Sequence, residues 1–374
     1  MRRKERILIR RCNMQIFKNL IGGGKSRESN IELARMLSMF LILVIHANMV
    51  SLPRPTSLDL SNDSLEVVFR YFMESIGIVS VNLFILISGW FTIKPNTKRM
   101  LSFVYQVVFL WGGMLLILAM LGLNNINLKG IAASIALTSY DWFIKAYLVL
   151  CIISPILNSF AENSSEKTLR GVLIWFFIFQ STYGILGASR FFQDGYGPLS
   201  FIGLYLLAQY ARKVTGGYFS KISVNKLFVF KKEIDIIIFC CCAIINTIVG
   251  VMALKLDINL YGKIYAYINP LNIIGALYLF LFFTKINIGH SKIINWLAAS
   301  SFAVYLLHSN QMREYFTNAI YYIYNSYNGV GCVLLVFLFL VLVYIVSVII
   351  DQVRIITWNL LSNLKERCQT IAKP

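Results

Sequence analysis

Long apolar runs, separated by short polar segments, recur along the whole chain. A helix needs about 20 apolar residues to cross the hydrocarbon layer of a membrane, and about ten runs of roughly that length can be placed here. They lie near 31–50, 75–93, 100–122, 141–160, 170–188, 198–211, 234–254, 264–284, 293–312 and 328–350. Strands of a porin-type barrel are short and alternate in polarity, so these continuous apolar runs exclude a β-barrel membrane protein. The pattern predicts an all-α polytopic membrane protein with about ten transmembrane helices.

The composition supports the same class. Hydrophobic residues make up 57% of the chain and charged residues only 14%, whereas soluble domains are roughly 45–50% apolar and about 25% charged. A soluble enzyme and a disordered regulator are therefore excluded. The chain has 35 Lys and Arg against 17 Asp and Glu. In a membrane protein such an excess is topogenic, and it does not indicate a nucleic-acid partner.

The positions of the basic residues predict the orientation. If the N-terminus is cytoplasmic, 26 Lys and Arg fall on the inner side and seven on the outer side, which supports an even number of spans and two cytoplasmic termini. The expected organisation is a basic cytoplasmic segment (1–30), one membrane domain (31–350) and a basic cytoplasmic tail (351–374). We expect both basic ends to lie against anionic lipid.

Ionisable side chains inside a span indicate a functional site by default. Arg35 and His46 are 11 residues apart in the first run. At 100° per residue they project from one helix face, about 16 Å apart along the axis. One interpretation is a cation at the inner mouth with a titratable imidazole deeper in the membrane. The other is that Arg35 reaches out to headgroups and His46 hydrogen-bonds a neighbouring helix.

Two further segments contain candidate residues. Lys94, Lys98 and Arg99 cluster after the second run, and they form either a topogenic loop or a phosphate-binding edge for an anionic cytoplasmic cofactor. Near residue 308 the sequence SSFAVYLLHSNQ includes Tyr305, His308 and Asn310, side chains that can hydrogen-bond inside a membrane. Trp142, at the start of the fourth run, suits the aromatic belt of the outer interface.

Neither a disulfide framework nor a metal site is expected. The seven cysteines contain no C-x-x-C pair and five lie within or beside apolar runs, while the chain has only three histidines. We interpret the cysteines as packing residues.

Five of these segments, taken in order, resemble the acyltransferase-3 family of integral-membrane O-acyltransferases. The most specific match is Arg-x10-His, from Arg35 to His46, with Glu32 where the family usually has an acidic residue. LFILISGW, WFIKAYLVLCIISPILN, FIGLYLLAQYAR and SFAVYLLH follow in the family's order. The resemblance covers residues 30–350. Mild departures are Ile31 and Ala34 in the first motif and Trp90 where the family has Tyr or Phe.

The resemblance implies transfer of an acyl group, usually acetyl from cytoplasmic acetyl-CoA, to a hydroxyl of a cell-surface glycan. On that basis His46 is the expected general base or transient acyl carrier, because an imidazole titrates near neutral pH. Arg35 with the Lys94, Lys98 and Arg99 cluster is expected to hold the acyl-CoA phosphates. The residues expected to orient His46 or bind the acceptor are Glu32, Trp142, Tyr305, His308 and Asn310.

The same resemblance implies a multi-pass protein of the bacterial cytoplasmic membrane, with capsule or exopolysaccharide as the preferred acceptor. Three alternatives remain open for a chain of this composition, of which a non-catalytic membrane assembly protein would give the Arg-x10-His pair no purpose. A transporter or flippase of lipid-linked sugars would need broken helices in paired halves, and a polysaccharide polymerase would need a sizeable outer loop. Oligomeric state cannot be predicted from the sequence.

Overall fold

The structure is a computed structural model, and it describes residues 28–123, 142–187, 191–215 and 230–371, with side chains up to residue 363. These residues are mainly helical and include no strand. Almost all of the predicted N-terminal segment, and the last three residues of the predicted tail, lie outside the described part.

The α-helices of the described residues fall into two groups along the chain. The first group is α1 (Ser29–Ile45), α2 (Ser57–Asn62), α3 (Ser64–Gly77), α4 (Ser80–Phe91), α5 (Thr97–Met120), α6 (Trp142–Asn163), α7 (Glu166–Phe179) and α8 (Pro198–Val214). The second group is α9 (Lys232–Lys255), α10 (Tyr261–Ile264), α11 (Pro270–Lys285), α12 (Lys292–Ala299), α13 (Ser301–His308), α14 (Arg313–Ser326) and α15 (Gly329–Ile371). Two π-helical turns continue α1 and α7, at His46–Val50 and Gln180–Leu186.

Within the described ranges, seven helical segments are long and apolar enough to cross a membrane. They are Ser29–Val50, Ser64–Phe91, Thr97–Met120, Trp142–Asn163, Glu166–Leu186, Lys232–Lys255 and Gly329–Asn363. Each overlaps one predicted run, so an all-α, multi-pass membrane protein is confirmed. Two of the other runs form α8, of 17 residues, and α11, of 16. The third, near 293–312, is divided at Ser300 into α12 and α13.

Polar residues between the apolar runs begin the helices. The Thr56 hydroxyl accepts a hydrogen bond from the Asp59 backbone N–H, and Asp59 returns the bond to the Thr56 N–H in a capping box at α2. The Asn96 side chain likewise accepts from the Arg99 N–H, at 2.8 Å, to cap α5. Helix termini leave backbone donors unpaired, and these side chains satisfy them.

Helix α1 is the central element of the core. It packs against α3, α4, α11, α12, α13 and α15. Ala34 and Leu43, on opposite halves of α1, are fully buried. A helix enclosed on several sides is apolar over most of its surface, so polar side chains on α1 must find partners inside the protein.

Close contact between α4 and α8 explains the glycine of the LISGW sequence. A Cβ atom added at Gly89 would lie 2.5 Å from the Tyr205 carbonyl oxygen and 2.9 Å from the Ala208 Cβ. The two helix backbones approach so closely that no other residue fits without a shift. This contact fixes the end of α4, next to the basic segment that begins at Lys94.

Candidate functional site

The first span changes its winding at His46. Helix α1 is regular to Ile45, and the turn from His46 to Val50 is π-helical. Its closing bond runs from the Ser51 N–H to the His46 carbonyl oxygen at 2.9 Å, and the Ser51 hydroxyl donates to the same oxygen at 2.8 Å. Single π-turns inside α-helices are frequent at functional sites, because they change the direction of the side chains they contain.

The widened turn brings His46 against His308, which lies 262 residues later at the end of α13. His46 Nδ1 and His308 Nε2 are 2.8 Å apart. His308 Nδ1 lies 2.6 Å from the Val304 carbonyl oxygen. The breaks at Ser300 and Ser309 on either side of α13 set the position of His308, which is 3% exposed.

These two contacts determine which nitrogens carry protons. A carbonyl oxygen can only accept, so His308 Nδ1 must donate to Val304. A neutral imidazole has one protonated nitrogen, and His308 Nε2 is therefore an acceptor that receives the proton of His46 Nδ1. Neutral His46 is left with an unprotonated Nε2, which has no hydrogen-bond partner among the described residues. The pair therefore presents one basic nitrogen.

His46 and His308 both line a cavity of about 570 Å³. Its deep part is lined by buried residues, among them Ile42, Phe143 and Tyr267. Exposed residues, including Arg54, Asn310 and Arg313, line the other end and so form its mouth. The volume is within the range of small-molecule sites. Of the residues predicted for the site, the cavity brings together His46, His308, Tyr305, Asn310 and Trp142.

Aromatic rings form much of the cavity wall. Trp142 lies 4.6 Å from Tyr196 and 5.7 Å from Tyr267, measured between ring centroids. Tyr261 and Tyr265 are 4.8 Å apart by the same measure. Burial raises the pKa of the Tyr261 phenol well above its usual value, so this hydroxyl stays protonated and remains a hydrogen-bond donor. The wall combines flat apolar faces with fixed polar groups.

A buried polar cluster holds the π-turn against α3. The Asn48 side-chain amide donates to the Arg70 carbonyl oxygen at 2.8 Å and to Glu74 Oε2 at 3.1 Å. The Arg70 guanidinium donates in return to the Asn48 Oδ1 at 3.2 Å and to the Pro53 carbonyl oxygen at 2.7 Å. Asn48 is two residues after His46, so the cluster fixes the backbone that carries the imidazole.

Arg35 and Glu32 lie at the other end of α1. They form an ion pair at 2.7 Å, and neither lines the cavity. The cavity does reach Met39 and Ile42, which follow Arg35 by four and seven residues on the same helix face as His46. Four residues of α-helix span about 6 Å, so the cavity ends roughly one turn from Arg35.

The basic cluster of Lys94, Lys98 and Arg99 is separate from the cavity. All three side chains are exposed, and the Arg99 guanidinium donates to the Lys94 carbonyl oxygen at 2.8 Å. Helices α1 and α3–α4 run antiparallel, because Asn48 pairs with Arg70 while Ser38 pairs with the Ser80 carbonyl. The cluster therefore lies towards the Arg35 end of α1, on the side opposite the cavity mouth.

Several site residues were not found by the sequence reasoning. In the sequence Arg54 and Arg70 are two of the seven basic residues expected on the outer side. Neither Glu74 nor the tyrosines of 261–267 stand out from their surroundings. One available signal was Arg70 followed by Glu74 at i, i+4, at the edge of an apolar run. Arg212, whose guanidinium donates to the Trp90 carbonyl oxygen at 2.9 Å, adds a further cation at the end of α4.

The fold is that of a multi-pass helical membrane protein, in which a buried and a partly buried histidine meet in the wall of a cavity of small-molecule size. A family model described as an acyltransferase domain matches residues 28–352, most of the chain. The chain belongs to this acyltransferase-3 family, and it is a membrane acyltransferase. No curated protein and no solved structure matches the chain significantly.

Proposed function

We propose that this protein transfers an acyl group, most readily acetyl, from cytoplasmic acyl-CoA to a hydroxyl of a cell-surface or exported polysaccharide. The proposal includes about ten spans, two cytoplasmic termini and a bacterial cytoplasmic membrane. Under this topology the cavity mouth opens to the outer side, where the glycan acceptor is found. The observation that carries the proposal is the contact of His46 Nδ1 with His308 Nε2 in the wall of a cavity of about 570 Å³, which leaves His46 Nε2 as the nitrogen assigned as basic.

His46 acts as the general base in this mechanism. As the acceptor hydroxyl oxygen bonds to the thioester carbonyl carbon, His46 Nε2 takes the hydroxyl proton. The carbon–sulfur bond then breaks, and His46 returns the proton to the departing thiolate. His308 supports the step by accepting from His46 Nδ1, which holds the ring in the required tautomer and stabilises the imidazolium.

A covalent route through the same nitrogen is the variant to distinguish. If His46 Nε2 attacks the thioester carbonyl first, the carbon–sulfur bond breaks, CoA leaves as the thiolate and an acyl-imidazole forms. In a second step the acceptor oxygen bonds to the acyl carbon, the carbon–nitrogen bond breaks, and the hydroxyl proton passes to the released Nε2. Rapid-quench measurements with radiolabelled acetyl-CoA separate the routes, because only the covalent route labels the protein before glycan is added.

The basic end of the protein suits an anionic donor. Lys94, Lys98 and Arg99 are exposed cations that can hold the phosphates of acyl-CoA. Arg35 then lies between this cluster and the cavity, one helical turn before Met39. The acyl group approaches His46 along the α1 face of Arg35, Met39 and Ile42.

The test compares a deletion strain complemented with wild type, His46→Ala or His290→Ala at matched membrane levels. His290 is exposed and lies outside the cavity, so it is a matched histidine control. Proton NMR of the surface polysaccharide should show acetyl groups with wild type and His290→Ala but none with His46→Ala. In parallel, purified wild type should consume acetyl-CoA thioester. A wild-type protein that consumes no thioester contradicts acyl transfer and favours a transporter or polymerase of lipid-linked sugars.

A further inference from the structure

The proposed chemistry leaves one buried acidic side chain of the cavity unexplained. Glu74 lines the cavity and is 5% exposed. Its Oε1 accepts from the Tyr261 hydroxyl at 3.1 Å, and its Oε2 accepts from the Asn48 amide at 3.1 Å. No ion pair joins Glu74 to any basic side chain in the part of the chain that the structure describes.

An ionised carboxylate can accept about four hydrogen bonds, and Glu74 receives two from the protein, one at each oxygen. One acceptor position on each oxygen therefore remains available. Glu74 lines the cavity, so donors of a molecule bound there can occupy the two remaining acceptor positions. Two adjacent hydroxyl groups of a sugar are donors of the required number and spacing.

The position of Glu74 relative to the base is fixed by the protein. Asn48 holds the carboxylate and also belongs to the π-turn that begins at His46. A sugar bound at Glu74 is therefore held in a fixed position relative to the π-turn that carries His46. Glu74 and His46 line the same cavity, so a sugar held by the carboxylate shares that cavity with the base.

The surrounding wall matches the rest of a sugar. Tyr261 contacts the carboxylate, and Tyr265 packs against Tyr261 with ring centroids 4.8 Å apart. Aromatic faces pack well against the C–H face of a pyranose ring, while a carboxylate repels an anionic substituent. Arg54, with its guanidinium 4.1 Å from the Tyr261 ring centroid, is exposed at the mouth, where water screens its charge.

We propose that Glu74 binds the acceptor by accepting hydrogen bonds from two hydroxyls of an uncharged sugar unit, with Tyr261 and Tyr265 against that sugar. At this position the Glu74 carboxylate disfavours a sugar unit that carries its own carboxylate or phosphate beside the two contacted hydroxyls. This inference rests on the proposed function, because it concerns the acceptor of the acyl transfer.

The test uses purified full-length protein in lipid nanodiscs with acetyl-CoA as donor. The acceptors are surface polysaccharide from the deletion strain, methyl hexopyranosides of three neutral sugars, and the corresponding methyl uronides. Wild type should acetylate the polysaccharide and prefer the hexosides to the uronides. Glu74→Gln should raise the acceptor KM about tenfold or more, since a hydrogen bond to a charged group is lost.

The matched control is Glu66→Gln, two turns earlier on α3. Glu66 accepts from the Tyr324 hydroxyl, pairs with Arg70 at 4.0 Å and does not line the cavity. This variant therefore changes a carboxylate beside the same polar cluster without removing a cavity group, and it should leave the acceptor KM unchanged. Glu74→Asp keeps the charge and should keep the preference for hexosides even if its KM rises. If Glu74→Gln proves unstable, the hexoside preference of Glu74→Asp tests the role of the carboxylate instead.

The outcomes separate the two proposals. An unchanged acceptor KM in a folded Glu74→Gln protein, or equal use of hexosides and uronides by wild type, overturns the role of Glu74 alone. Acetyl-CoA hydrolysis by wild type without acetylation of any sugar overturns the glycan acceptor and this inference with it. Absence of thioester turnover overturns the proposed function itself.

Discussion

Replacing His308 tests the direction of the hydrogen bonds at the centre of the site. His308→Ala removes the acceptor of the 2.8 Å bond from His46 Nδ1 and leaves that N–H without a partner inside the protein. An unpaired buried donor costs about 1–3 kcal/mol. If this cost is paid in the transition state, kcat falls by about five- to 150-fold.

His308→Gln distinguishes two roles of His308: orienting the His46 ring through a hydrogen bond, or transferring the proton itself. The glutamine side-chain oxygen can accept from His46 Nδ1, so this variant should recover most of the kcat that His308→Ala loses. The assay is acetyl-CoA turnover by purified protein at saturating donor, with thermal denaturation measured alongside to confirm folding. The acetyl-CoA KM should not change, because His308 lies in the cavity and away from the predicted phosphate-binding cluster.

Two results would refute the reasoning. Wild-type kcat in a folded His308→Ala protein would show that the 2.8 Å contact does not orient the base. Equal loss in His308→Gln and His308→Ala would show that the His308 imidazole itself transfers the proton. His290→Ala, a change at an exposed histidine outside the cavity, provides the baseline.

Two further predictions concern the acyl-CoA side and the α4–α8 contact. Changing Lys98 and Arg99 together to glutamine should raise the acetyl-CoA KM several-fold at low salt and weaken the salt dependence of that KM, because salt-screened contacts to the phosphates are lost. Steady-state kinetics at two ionic strengths would test this, and an unchanged KM would contradict phosphate binding by this cluster. Gly89→Ala should destabilise the protein by about 1–3 kcal/mol, since the new Cβ would lie 2.5 Å from the Tyr205 carbonyl oxygen. Thermal unfolding in detergent measures this destabilisation, and a wild-type Tm would argue against the close approach of α4 and α8.

The polytopic class was predictable because it depends on local composition. A helix that crosses lipid must be apolar along its own length, so each span is visible in one continuous stretch of sequence. The same reasoning identified Arg35 and His46, since an ionisable residue within such a stretch is conspicuous. It was least informative near 293–312, where the run is long enough to predict one span but the structure divides it at Ser300.

The site depended on contacts between distant parts of the chain. His46 and His308 are 262 residues apart, and no periodicity in either segment indicates that their rings meet. The hydrogen bond from His308 to the Val304 carbonyl lies within α13, but it determines the basic nitrogen of His46 only because the two rings meet. Trp142 illustrates the same limit, because a tryptophan at a span end suits the interface belt, yet here its ring lines the cavity.

Glu74 shows which properties of a site residue can be predicted from the sequence and which depend on the tertiary structure. Its charge and its place near an apolar run were visible in the sequence, where it is one acidic residue among 17. Only the packing of α3 against the π-turn, and of the 261–267 segment against both, makes it a buried carboxylate in the cavity wall. Apolarity is a property of each segment alone, whereas hydrogen-bond partners and burial belong to pairs of segments, and these are decided when the helices pack.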